Sequence, residues 1–200
     1  MAAGAVLITA ALCLFLYNQN QQRQAEERAA QVIPQVVEVI QERKQTLQDA
    51  LPTAPTIPEK TTPEEMSVVE IDGNPYIGFL GIPALELELP VMAEWSYPQL
   101  QIAPCRYTGD LYQDDLVLMA HNYEKHFGQL SKLRIGDTIT FTTMDAETIP
   151  YEVVALEVLN PYAIADMTSG DFALTLFTCT YGGENRVTIR CDRADSESYN

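Results

Sequence analysis

The sequence predicts a mainly β domain, a closed or nearly closed barrel with short helices, set behind an N-terminal helical segment. Three observations predict it. Short runs of strand-forming residues recur between turn signals from Tyr76 to the last third of the chain. Leu85-Glu86-Leu87-Glu88-Leu89 alternates strictly, which puts leucines on one face of a strand and glutamates on the other. Helical signals in this region are few and short, whereas a long run of good helix formers sits upstream, at about residues 18–50.

The first segment, Ala2 to Tyr17, carries no charge. As a helix it would span roughly 24 Å at 1.5 Å per residue, slightly less than a ~30 Å hydrocarbon core. No small-x-small cleavage site follows it; the next residues are Asn18-Gln19-Asn20-Gln21-Gln22. The expectation is a retained, single-pass signal anchor over 1–17, with the rest of the chain outside the cell membrane. Residues 18–66 read as a stalk. Val32, Ile33, Val36, Val37, Val39 and Ile40 form a partly amphipathic stripe, and Pro34 is expected to kink or restart the helix. The stripe is alternatively a packing face for the head or for a neighbouring chain. A proline-spaced linker follows over 52–63 and should be extended.

The head, 67–200, holds strand candidates at 76–82, 85–89, 116–120, 138–143, 151–159, 173–179 and 186–191. Short helices are expected at 97–103 and 127–133, a loop around Gly109, and a turn at Gly136-Asp137.

Charge and cysteine usage narrow the function classes. A formal net charge of −16 argues against a nucleic-acid partner, because phosphate binding needs clustered Lys and Arg. The four cysteines, at 13, 105, 179 and 191, form no C-x-x-C pair and meet no histidine cluster, so neither a metal site nor a cofactor is expected. Cys105 and Cys191 are the remaining candidates for a structural pair, although Cys191 alternates with Val187 and Ile189 and reads equally as a buried, inert thiol.

Two strand ends carry reactive side chains. Leu174-Thr175-Leu176-Phe177-Thr178-Cys179 ends in a cysteine before the turn Thr180-Tyr181-Gly182-Gly183. Leu116-Val117-Leu118-Met119-Ala120 leads into His121. Arg186 opens the last strand, and alternation places Arg186, Thr188 and Arg190 on one face. A cysteine at a rigid strand end can be a positioned nucleophile, a nearby histidine its proton carrier, and an arginine an oxyanion donor. Local sequence alone leaves Cys179 open between nucleophile and structural thiol. His126, between Lys125 and Phe127, reads as an ordinary surface residue.

Taken together, these residues resemble the sortases, cell-surface cysteine transpeptidases mostly of Gram-positive bacteria. The matching pieces are Thr175-Leu176-Phe177-Thr178-Cys179, which is similar to the family's T-L-x-T-C signature, and Ala120-His121-Asn122 followed by Phe127-Gly128-x-Leu130 and Leu133-x-x-Gly136-Asp137. Tyr76-Ile-Gly-Phe-Leu-Gly-Ile-Pro83 is similar to the family's first strand, and the likeness covers roughly residues 70 to 193. The resemblance implies a closed eight-stranded barrel and a catalytic set of His121, Cys179 and Arg186, with Arg190 as the fallback arginine. Asn122, Thr178 and Arg190 would contact substrate. It implies cleavage of an L-P-x-T-G-like C-terminal sorting motif on a secreted protein through a thioester, then transfer to a peptidoglycan or pilin amine. Asp72-Gly-Asn-Pro-Tyr76 departs from the Asp-Pro-aromatic lid of pilin-polymerising members, and only a short segment, 160–171, precedes the cysteine strand, so a compact anchoring type is expected. The alternative function is a non-catalytic surface barrel that binds peptide or wall polymer.

Overall fold

Asp72-Gly73 is a strong short-range hairpin signal, since both central residues of a type I′ turn need positive φ. Asp72 and Gly73 have φ of 50° and 74°, and Ile71 pairs with Asn74 across them. The segment that departs from the lid pattern is thus a hairpin turn. The computed structural model describes residues 2–49 and 65–194; the proline-spaced linker at 52–63 lies outside the described residues.

A long helix, α1 (Ala2–Asp49), precedes the strands β1 (Val69–Ile71), β2 (Asn74–Ile82), β3 (Leu87–Met92), β4 (Cys105–Thr108), β5 (Leu116–Met119), β6 (Thr138–Thr143), β7 (Thr148–Leu159), β8 (Leu174–Cys179) and β9 (Arg186–Arg193). Short helices α2 (Tyr97–Leu100) and α3 (Ile164–Met167) sit in the β3–β4 and β7–β8 connections. From β2 the sheet runs β3-β4-β5-β8-β9-β7-β6, and β6 returns to β2, closing an eight-stranded mixed barrel. The expected eight-stranded barrel is the one observed. Its parallel pairs are β3–β4 and β5–β8.

Alternation sorts the side chains. Leu87, Leu89 and Val91 of β3, Leu116 and Leu118 of β5, Ile139 and Phe141 of β6, and Leu174 and Leu176 of β8 fill the interior. Phe127, Leu130 and Leu133, which follow β5, plug one end of it. In place of the expected helix at 127–133 there is a turn ending in one 3-10 turn, Leu130–Lys132. Leu85 belongs to a 3-10 turn, Pro83–Leu85, instead of the following strand, yet Leu85, Leu87 and Leu89 are all buried as the alternation predicts. The four-residue strand β4 was not expected. Pro104 and Gly109 bracket it, and they mark this stretch as loop.

The stalk expectation is revised for α1. The helix runs unbroken through Pro34, and it lies against the barrel. Ala25, Ala29, Val32 and Val36, spaced four, three and four apart, are buried. Val32 and Val36 pack on Ile71, Tyr76, Met92, Leu100, Ala103, Cys105 and Met144, a second apolar layer outside the barrel. Gln35 donates to Asp72 at 3.0 Å and Arg43 pairs with Asp145 at 3.2 Å. These neighbours secure Pro34, whose missing N–H costs the helix one internal hydrogen bond.

The anchor expected at 1–17 is likewise not supported. The apolar run is the first third of α1, and among the described residues no helix is long and apolar enough to cross a membrane. The run is too short, and polar Asn and Gln follow it directly. Nor do Cys105 and Cys191 pair: all four cysteines are free. Cys105 lies at the level of Met119 and Cys191 at the level of Leu174, at opposite ends of the β5–β8 ladder. Burial pushes the Cys105 thiol up to about 12 and the Cys191 thiol up as well, so both stay protonated.

Val36 is fully buried between α1 and the barrel. Val36→Asp should therefore loosen α1 first. Hydrogen exchange of amides 25–40 is expected to accelerate at least about tenfold, a loss of ~1.4 kcal/mol of docking or more, while the β8 amides stay protected.

Candidate active site

Parallel pairing brings the two reactive strand ends to one rim. Leu116, Val117, Leu118 and Met119 of β5 pair with Leu174, Thr175, Leu176 and Phe177 of β8. The Ala120 N–H donates to the Phe177 carbonyl at 3.3 Å, and Thr178 Oγ1 donates to the Ala120 carbonyl at 2.8 Å. Two residues beyond the last pair, His121 comes level with Cys179, one strand spacing away, about 4.8 Å. Antiparallel pairing supplies the third group: Cys179 and Arg186 are direct cross-strand partners. Leu116, Leu118, Ala120, Leu174, Leu176, Val187 and Ile189 face the core. His121, Cys179 and Arg186 have the opposite parity and share the outer face.

The loops at this rim are held by their own backbones. The Thr180 N–H donates to Asn185 O at 2.9 Å, the Asn185 N–H returns to Thr180 Oγ1 at 3.0 Å, and the Gly183 N–H reaches Thr180 O at 2.8 Å. In the turn after β5, Phe127 N–H donates to His121 O at 3.2 Å, and Gly128 N–H donates to Tyr123 O at 2.9 Å. A Cβ on Gly128 would lie 2.5 Å from Asn122 O and 2.7 Å from Tyr123 O, so this turn requires glycine.

The sequence-predicted residues divide as follows. His121 is half-buried, and burial lowers its imidazole from the usual value of 6.5, so the ring is neutral at neutral pH. Its ring lies 4.8 Å from that of Tyr123. Cys179 is partly exposed. It lines a cavity of about 490 Å³ together with Gln22, Asn122, Thr178, Tyr181 and Val187. Thr178 is buried behind it, tied to Ala120. The Arg186 guanidinium is partly exposed and donates from Nη1 to Gly183 O and Asn185 O, both at 3.1 Å. It rests on the turn beside Cys179.

Arg190 occupies a different setting. It pairs with Thr175, four residues along β9 from Arg186 and so roughly 13 Å away. It is 2% exposed. Nε donates to Glu157 Oε2 at 2.9 Å, Nη1 to Met167 O at 3.0 Å and Thr175 Oγ1 at 3.1 Å, and Nη2 to Asp166 O at 2.5 Å. Phe172 covers the guanidinium, 5.2 Å from its ring centroid. Arg190 thus fastens the α3-bearing loop to the barrel wall. Between that loop and Cys179 lies an apolar patch of Val117, Met167 and Phe177, flanked by Tyr107, Met119 and Leu159.

His126 is corrected from a surface residue to a buried one. Its ring lies 5.5 Å from that of Tyr123 and near the Ile102 carbonyl but outside hydrogen-bonding geometry, so neither nitrogen has a partner among the described residues. Burial, with His121 nearby, pushes it down to about 4. Sequence reasoning also missed Tyr17, Gln22 and Tyr97 at the site. Tyr17 and Gln22 come from α1, and Tyr17, Tyr97, Tyr123 and Tyr181 line a second cavity of about 400 Å³ that His121 borders.

A closed eight-stranded mixed barrel with Cys, His and Arg on one rim defines the sortase class of fold. The sortase domain profile matches residues 80–194, and the chain belongs to the sortase family, a family of transpeptidases. Among solved structures, sortase C1 from Streptococcus suis is 29% identical, with a TM-score of 0.52 over 62% of this chain and 75% of that one. Sortase C from Streptococcus pneumoniae is 21% identical, with a TM-score of 0.54 over 84% and 96% of the two chains. Sortase A from Corynebacterium diphtheriae is 20% identical, with a TM-score of 0.55 over 91% and 95%. A search of curated proteins returned no match.

The two arginines separate by stability. Arg190→Ala leaves buried acceptors unpaired and should cost roughly 3 kcal/mol, whereas Arg186→Ala should stay within about 0.5 kcal/mol of the parent; urea denaturation of both variants checks this. His126 gives a pH signature. Its folded value, about 4, lies below the ordinary 6.5. The unfolded chain therefore takes up the proton first, so this stability is complete above pH 6.5 and is lost as pH falls toward 4. Denaturation at pH 7 and pH 4 should show a loss on the order of 3 kcal/mol that His126→Phe reduces.

Proposed function

We propose that this chain is a cysteine transpeptidase in which Cys179 attacks the backbone carbonyl of an L-P-x-T-G-like sorting motif on a secreted protein. The observation that carries the reading is the convergence of His121, Cys179 and Arg186 on one outer face, through one parallel and one antiparallel strand pairing. Order and face suit the chemistry. The thiol gives its proton to the neutral His121 imidazole as it attacks, and the imidazolium then protonates the departing amine. Arg186, released from the Gly183 and Asn185 carbonyls, donates to the oxyanion of the tetrahedral intermediate. The apolar patch of Val117, Met119, Phe177 and Met167 receives the aliphatic side chains upstream of the scissile bond.

The thioester then reacts with an amine, from a peptidoglycan precursor or a pilin lysine. Asn122 faces the cavity at Cys179 and orients the substrate backbone. The Arg190 fork, already committed to four acceptors and a ring face, acts by holding the α3 loop that walls the groove. The family implies a cell-surface location, where both partners are found.

The full chain incubated with a panel of sorting-motif peptides and an amine should release the C-terminal fragment and form the transfer product. Cys179→Ala and His121→Ala should each lower the rate at least about 10³-fold, and Arg186→Ala at least about 10²-fold. In the parent protein, iodoacetamide should modify Cys179 well before Cys105 or Cys191, read by peptide mass mapping. Equal labelling of the three thiols and no Cys179-dependent cleavage across the panel would sink the catalytic reading and favour a binding barrel.

A further inference from the structure

The cavity bordered by His121 has an unusual lining. Four tyrosines, Tyr17, Tyr97, Tyr123 and Tyr181, surround it, and the polar remainder comes from side-chain amides such as Gln22 and Asn122. Among the described residues its lining contains no Asp, Glu, Lys or Arg, while Glu124 and Lys132 line the adjoining cavity at Cys179. The volume of the tyrosine-lined cavity is about 400 Å³. The cavity at Cys179 shares Gln22, Asn122 and Tyr181 with it, so the two spaces adjoin, one ending on the thiol and the other on the imidazole. Tyr17, Asn18, Gln21 and Gln22 of its wall come from α1, outside residues 80–194 that match the family profile. Gln21 donates to the Tyr17 hydroxyl at 3.1 Å and fixes that ring on the helix.

We propose that this tyrosine-lined cavity is the acceptor subsite, and that it receives a primary alkylammonium held by aromatic faces and amide oxygens instead of a carboxylate. The inference rests on the transpeptidase reading and deepens it. Aromatic faces attract cations through the ring quadrupole, and tyrosine is an effective partner. Burial raises the Tyr123 hydroxyl above its ordinary value of 10.0, so the ring stays a neutral phenol and offers its face and no charge. The overall charge of −16 draws cations toward the protein from a distance.

The absence of a carboxylate in this lining matters for the chemistry. An ammonium cannot attack; it must first lose one proton, which passes to bulk water at the open mouth of the cavity. A carboxylate partner would hold the charged form tightly, whereas the tyrosine faces of this solvent-open cavity, with Tyr97 74% and Tyr181 98% exposed, hold it weakly and let the proton leave. The free amine then attacks the thioester carbonyl, a C–N bond forms, and the C–S bond breaks. The amine's second proton passes to the His121 imidazole and from there to the departing Cys179 thiolate, which restores thiol and neutral imidazole.

The test uses the full chain, a donor peptide that it cleaves, butylamine as acceptor, and butyltrimethylammonium as a cation that cannot react. The quaternary ion should inhibit transfer competitively against butylamine and not against the donor. Tyr97→Leu and Tyr181→Leu, at exposed positions, should each raise the KM for butylamine about fivefold to tenfold, consistent with loss of one cation–π contact, and Tyr97→Phe should restore it. Donor cleavage with an unchanged butylamine KM in both Leu variants, or competition of the quaternary ion against the donor, overturns the subsite and leaves the transpeptidase reading standing. No donor cleavage by the parent chain overturns both.

Discussion

The site depends on the parallel ladder between β5 and β8. Thr178 of β8 reaches Ala120, just past the end of β5, across a sequence separation of 58 residues. Closing a loop of that length costs roughly 4 kcal/mol of chain entropy beyond the fixed term of closure. Leu116, Leu118, Leu174 and Leu176, all fully buried, offset it at about 1.5–3 kcal/mol each. Parallel orientation is what matters for chemistry. Two antiparallel neighbours would send His121 and Cys179 to opposite ends of the barrel. A parallel pair delivers both C-terminal ends to one rim, and the β8–β9 hairpin then adds Arg186 with little further closure cost.

The same alternation that makes the barrel decides which residues can act. On β9, Arg186 and Arg190 share parity and the outer face, yet their surroundings divide their roles. Arg190 sits where the α3 loop crosses the wall, so two main-chain carbonyls, a threonine and a carboxylate consume its donors. Arg186 sits at the hairpin end, where its partners are two turn carbonyls that solvent can replace. A guanidinium in the first setting is a structural tie, and removing it strands buried acceptors. In the second setting it can exchange partners during a reaction.

Much of this was legible from residue order. Strict alternation over 85–89 and the apolar runs ending at His121 and Cys179 gave the inward faces and the reactive ends, because a period of two leaves no freedom about which side chains face in. Other features depend on tertiary contacts that local pattern does not encode. β4 is four residues between Pro104 and Gly109, and it exists because β3 and β5 satisfy its backbone. The stripe on α1 was visible, but whether it faced the barrel or water turned on Ile71, Tyr76 and Met144, which are distant in sequence. His126 was misread because its neighbours Lys125 and Glu124 are polar, whereas the turn from His121 to Gly128 folds it inward.

Helix α1 extends the walls of the candidate site beyond the matched domain. The matched domain alone carries Cys179, His121 and both arginines, so residues 80–194 hold every group to which the proposed reaction assigns a bond change. The walls of both cavities, however, include Gln22 of α1. A helix held by a narrow apolar seam, Ala25 to Val36, and by the Gln35–Asp72 and Arg43–Asp145 contacts thereby shapes the space beside His121. That space is neutral in a protein of net charge −16. On the proposed acceptor reading, charge at long range and weak aromatic contacts at short range act on different steps: the field raises the local concentration of a cation, and the loosely held ammonium gives up its proton. Placing a carboxylate among those tyrosines would strengthen capture of the cation while holding it in its unreactive, protonated form, so on that reading aromatic faces beside His121, with Glu124 set apart in the adjoining cavity, serve both steps.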